Sequence, residues 1–98
     1  MPTTKYNRSA FKHGMDEAEI DSVLRSPSTE EFDDDWDEFG RFCVMFVGLN
    51  YDGHLREIKV AFEVNALTDE CTGDREIVHA NKATPLYQQM WNERKRRT

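Results

Sequence analysis

The stretch between Arg41 and Val64 constrains the fold more than any other part of this chain. Residues 42–47 read Phe-Cys-Val-Met-Phe-Val, apolar at both odd and even positions and rich in β-branched and aromatic side chains. A run this short cannot span a bilayer, and its lack of alternation predicts a central strand buried on both faces. Asn50, Asp52 and Gly53 then supply turn chemistry. Residues 55–64 alternate: Ile58, Val60, Phe62 and Val64 fall on one side, Glu57, Lys59, Ala61 and Glu63 on the other. That pattern predicts a half-buried antiparallel strand, so the two runs form a β-hairpin whose apolar faces must be covered by the rest of the chain.

The flanking segments supply candidate covers. Residues 7–13 predict a short helix stopped by Gly14. Asp16 with Glu19 three residues later reads as a capping box, followed by Ile20, Val23 and Leu24 at helical spacing and ended before Pro27. Residues 28–40 read as an exposed acidic linker carrying Phe32, Trp36 and Phe39. Residues 65–74 predict a polar loop, and residues 75–80 a third strand around Ile77 and Val78. Thr84-Pro85 opens a last helix with Leu86, Tyr87, Met90 and Trp91 as its apolar stripe and arginines in its final turn. The expectation is one α+β domain over residues 1–98: two N-terminal helices, a three- to four-stranded antiparallel sheet and a C-terminal helix, with loose ends at 1–6 and 95–98. A chain of this length buries only a small core, so a second copy or a partner would add to its stability.

Charge is unevenly placed. Acids exceed bases by six, and the excess lies in residues 1–40, with four bases against eleven acids, whereas residues 41–98 carry nine bases and eight acids. Such a balance excludes a generally basic nucleic-acid binder while leaving room for a local cationic patch. Two cysteines, Cys43 and Cys71, make no disulfide framework, and no Cys or His spacing matches a zinc site. A calcium loop counted from Asp33 fails, because Glu38 stands at the glycine position and Val44 at the closing glutamate. These features lead to the expectation of a cytoplasmic protein without membrane segment, metal or cofactor.

Several motifs follow one another in a recognisable order: Lys12-His13-Gly14 ahead of a capped helix ending in proline, Arg41 opening an apolar strand, the Gly53 turn, and Glu76-Ile77-Val78-His79-Ala80-Asn81-Lys82-Ala83 leading into a helix with Tyr87. Over roughly residues 7–94 this order resembles the BrnT family, toxins of bacterial type II toxin–antitoxin pairs with a RelE-like ribonuclease fold. The resemblance implies metal-free RNA cleavage and two partners, RNA and a cognate antitoxin protein. Members carry Ile-Ser-Ala-Arg-Lys-Ala before the last helix, and here Asn81 stands at the arginine. His54 stands where an arginine follows the hairpin glycine, with Arg56 two residues on.

RNA cleavage without a metal requires a base for the 2′-hydroxyl, cations for the phosphorane and an acid for the departing 5′-oxygen. Lys12, His13, Arg56, His79 and Lys82 are the candidate catalytic residues, with Arg41, Tyr87 and Arg94 as candidate RNA contacts. Each has a plainer reading. His13 before Gly14 suits a helix C-terminus, and His79 suits a hydrogen-bonded structural histidine. Arg56 and Lys82 read equally as solvated charges, Tyr87 as core, and residues 94–97 as a tail complementing the helix dipole. The second functional reading is therefore a non-catalytic protein-binding module that keeps the toxin fold.

Overall fold

The computed structural model describes residues 3–65, 67–68 and 70–97. Its centre is the predicted hairpin. Strand β3 (Phe42–Leu49) pairs antiparallel with β4 (Leu55–Val64), from Phe42 opposite Phe62 to Leu49 opposite Leu55. Asn50 closes the turn: its Oδ1 accepts the backbone N–H groups of Asp52 and His54, both at 2.9 Å. Gly53 supplies the left-handed residue, at φ +79°.

Around this hairpin the architecture departs from expectation. The sheet has five strands in the order β1-β5-β4-β3-β2, and it is mixed rather than antiparallel. Strand β1 (Thr4–Tyr6) lies parallel to β5 (Cys71–Lys82), with Tyr6 opposite Ile77. Strand β2 (Glu30–Asp33) occupies part of the predicted linker and pairs antiparallel with β3. Neither short segment has an alternating pattern of its own; each is strand because a sheet edge offers it partners. Among the described residues only two α-helices form, α1 (Glu17–Arg25) and α2 (Pro85–Arg96). The expected first helix is a single 3-10 turn, Arg8–Phe11. Its Ser9 hydroxyl donates to the Val78 carbonyl, and Asn7 N–H donates to the Ile77 carbonyl at 2.9 Å, so it covers the β5 edge beyond β1. Of the segments expected to be loose, residues 4–6 and 95–96 are in regular structure, and Met1, Pro2 and Thr98 lie outside the described residues. The predicted loop 65–74 is shorter because β5 starts at Cys71; its Ala66 and Asp69 also lie outside the described residues.

The sheet carries two covers. On one face α1 lays Ile20 and Val23 against Val44, Phe46, Ile58, Val60, Ile77 and Ala80. On the other, Tyr87, Met90 and Trp91 of α2 pack on Phe32, Met45, Val47 and Ala83, while Leu86 points to solvent. Burying each larger aliphatic side chain contributes about 1.5–3 kcal/mol. A bulge in β5 sets which residue meets which cover. Lys59 faces His79 and Val60 faces Ile77, leaving Val78 as the extra residue. Ile77 and Ala80 therefore both reach the α1 face, and His79 reaches the opposite one.

Two carboxylates fasten α1. Asp16 caps α1 by accepting the Glu19 N–H at 2.8 Å, as predicted. The Glu19 side chain does not complete the capping box; its Oε2 accepts from Asn50 Nδ2 and Arg56 Nε, both at 2.8 Å, and so binds α1 to the hairpin. After α1 the chain crosses β3 closely at Gly48. A Cβ there would collide with Thr29 Oγ1 and lie 2.7 Å from Thr29 Cα. Gly48→Ala is expected to cost about 2–3 kcal/mol in urea unfolding, and a loss near zero would show that residues 28–29 can move aside.

Candidate acid–base site

A buried carboxylate organises the face on which His79 stands. Glu57, on β4, is 3% exposed. Its Oε2 lies 2.9 Å from His79 Nε2, and its Oε1 accepts the Thr84 N–H at 2.6 Å, at the start of α2. Each oxygen therefore has a partner, as a carboxylate removed from water requires. Thr84 contributes no side-chain cap, and the positive end of the α2 dipole meets a fixed negative charge instead.

With Nε2 directed at the carboxylate, the neutral imidazole of His79 carries its proton there and presents Nδ1 as the basic nitrogen. His13 approaches from the 3-10 segment. Gly14, at φ +86°, turns the chain after it. The two rings meet edge to face at 75°, with centroids 5.6 Å apart. No phosphate fits between rings in contact; a substrate would lie across their exposed edges. His13 is exposed and the His79 side chain one-third exposed, so both can be reached. Lys12 adjoins His13 and is exposed, and its ammonium has no partner among the described residues. Lys59, opposite His79 in register, is bound to Asp34 at 3.3 Å. Burial pushes the Tyr87 phenol up, and the Asp34 and Glu57 carboxylates push it further, so it remains a neutral hydrogen-bond donor. Cys43 is buried, and burial raises its thiol pKa, which makes it a poor nucleophile.

The five candidate catalytic residues do not share one face. His13 and His79 come together, with Lys12 beside them. Arg56 and Lys82 are neighbours in register, with Arg56 turned to α1, and at this end of the sheet they line a shallow cavity with His54 and Gln88. Arg56 is tied to Glu19, whereas Lys82 is exposed and its ammonium has no partner among the described residues. The three candidate RNA contacts are all engaged within the chain. Tyr87 packs against Phe32, with centroids 6.1 Å apart, and Arg94 stacks over the same ring at 4.1 Å while donating to the Glu31 carbonyl. Arg41 lies between Asp37, Glu63 and Glu76, at 2.8, 3.1 and 2.7 Å.

Sequence reasoning missed Glu57. Its place on the polar side of an alternating strand marks it as solvent-facing, and only the descent of α2 onto that face buries it. Among the described residues no three His, Cys, Asp or Glu side chains converge as a metal site would need. No helix among them is long and apolar enough to cross a membrane. No protein-family model matches the chain, and no curated protein matches it.

The Arg41 cluster gives the fold an acid-sensitive clasp. Hydrogen bonding from Arg41 holds the Glu76 carboxyl below its ordinary value of 4.5, against the opposing effect of burial. Burial raises the Asp37 carboxyl, but hydrogen bonds from Arg41 outweigh it and leave the group below 3.8. A carboxyl whose pKa is lower folded than unfolded adds stability above its unfolded value and loses it as pH falls through its folded value. Urea midpoints should therefore fall steeply below about pH 4.5. Arg41→Met should cost about 2 kcal/mol at neutral pH, the clasp being partly exposed, and should flatten the acid slope. An unchanged slope would refute the clasp.

Proposed function

We propose that this chain is a metal-free endoribonuclease whose acid–base pair is His79 and His13. The observation that carries the reading is the His13–His79 contact with His79 anchored on the buried Glu57 carboxylate. An imidazole backed by a carboxylate is a competent base, because the carboxylate fixes the tautomer and stabilises the imidazolium that forms.

In this scheme His79 Nδ1 takes the proton of a ribose 2′-hydroxyl and the freed oxygen attacks the adjacent phosphorus. The bond from phosphorus to the 5′-oxygen breaks, and protonated His13 donates to that oxygen. The products are a 2′,3′-cyclic phosphate and a 5′-hydroxyl. Lys12 lies beside His13, where the phosphorane charge develops. Two proton-transfer groups and one cation suffice, so the scheme calls for no metal or cofactor. Single-stranded RNA is the substrate class, since its sugar edges can lie across two adjoining rings. The motif order described above adds a cognate antitoxin protein and a cytoplasmic setting to this proposal.

A second reading keeps the scaffold without the chemistry: a protein-binding module. It draws on the net charge of −6 and on the intramolecular partners of Arg41, Arg56 and Arg94.

The purified protein, incubated with single-stranded RNA in EDTA, should yield 2′,3′-cyclic termini. His13→Ala and His79→Ala should each slow cleavage by about a hundredfold or more, and Lys82→Ala should leave it within a few-fold. Intact RNA, or cleavage indifferent to both histidines, would defeat the proposal. A stable complex with another protein, alongside intact RNA, would favour the binding module.

A further inference from the structure

Helix α1 covers only part of its sheet face. Towards the start of β3 and the end of β4 lies an open apolar groove of about 400 Å³. Phe42, Val44, Phe46 and Phe62 form its floor, with Cys71 and Gly73 on the β5 side. Phe42 and Phe62 are only partly buried. Trp36 extends the apolar surface by packing against Phe42, with ring centroids 5.6 Å apart, and is itself 60% exposed.

The opposite wall is acidic. Glu31 is opposite Phe46 in register and Asp33 opposite Val44, so both carboxylates stand on the same face as the aromatic floor. Both are exposed, and neither side chain has a partner among the described residues. Elsewhere in the molecule helices cover the sheet, each laying an apolar stripe across the strands. The unfilled space lies beside α1 on the same face; its floor is apolar, Glu31 and Asp33 stand on its β2 side, and Arg75, opposite Phe62 and bonded to Thr4, stands on its β5 side.

We propose that this groove is a docking site for a cationic amphipathic helix presented by another protein. Aliphatic side chains of that helix enter between Phe42, Phe46 and Phe62, and its lysines or arginines meet Glu31 and Asp33. The site lies on the face opposite Glu57 and His79 and stands independently of the ribonuclease reading.

The test uses a helical leucine–lysine peptide of about 18 residues, long enough to form several turns, and a leucine–glutamate counterpart. Binding is followed by calorimetry and by amide shifts of the intact protein. The lysine peptide should bind and shift the amides of Phe42, Phe62 and Gly73. Glu31→Lys with Asp33→Lys should weaken binding about tenfold or more, as should Phe62→Asn. Glu17→Lys with Asp52→Lys makes the same change in net charge away from the groove and should bind like wild type. Equal losses in the two charge variants would reduce the effect to net attraction and overturn the proposal. So would equal binding of the glutamate peptide, no binding of the lysine peptide, or self-association of the free protein through these residues in sedimentation.

Discussion

The Glu57 carboxylate joins three elements. It stands on β4, accepts from the N-cap residue of α2, and faces His79 on β5. A charge removed from water in this way is tolerated only with partners on both oxygens, and it destabilises the fold sharply when one is lost. That requirement fixes the entry of α2, which has no residue of its own fully buried and depends on half-buried contacts along one stripe. It also fixes the orientation of the one imidazole that a second imidazole touches. Packing and candidate chemistry therefore share a constraint: whatever holds α2 down also presents His79.

A similar economy operates on the opposite face. Glu19 carries a capping position in α1 yet spends its side chain on Asn50 and Arg56. Arg56 thereby holds helix to hairpin, which accounts for its apolar parity on β4. Arg41 likewise binds Asp37, Glu63 and Glu76 rather than facing solvent. In a chain with this many acids, much of the cationic charge is consumed internally. What remains near the histidines is Lys12, so the candidate site depends on imidazole geometry more than on a basic surface.

Much of the hairpin was legible in the sequence, because its signals are local: an unbroken apolar run, a turn, then strict alternation. The cap at Asp16 and the proline opening of α2 were legible for the same reason. The two short edge strands were not. Thr4–Tyr6 and Glu30–Asp33 are polar, and their conformation comes from pairing with strands distant in sequence. The bulge at Val78 was also hidden, and it decides the face of His79. Reading parity through 77–79 without it puts Ile77 and His79 on one side, whereas they lie on opposite sides. Of the candidate site, both histidines were named from motif order and proton-transfer chemistry. Glu57 was not, since its burial is created by a helix some thirty residues later.

The state of the His79 ring tests the central claim most directly. Long-range nitrogen–proton correlation spectra of the neutral protein should show the Nε2–H tautomer for His79, with cross-relaxation between its ring protons and those of His13. An Nδ1–H tautomer, or rings with no mutual contact, would contradict the arrangement on which both the fold of α2 and the proposed chemistry are built.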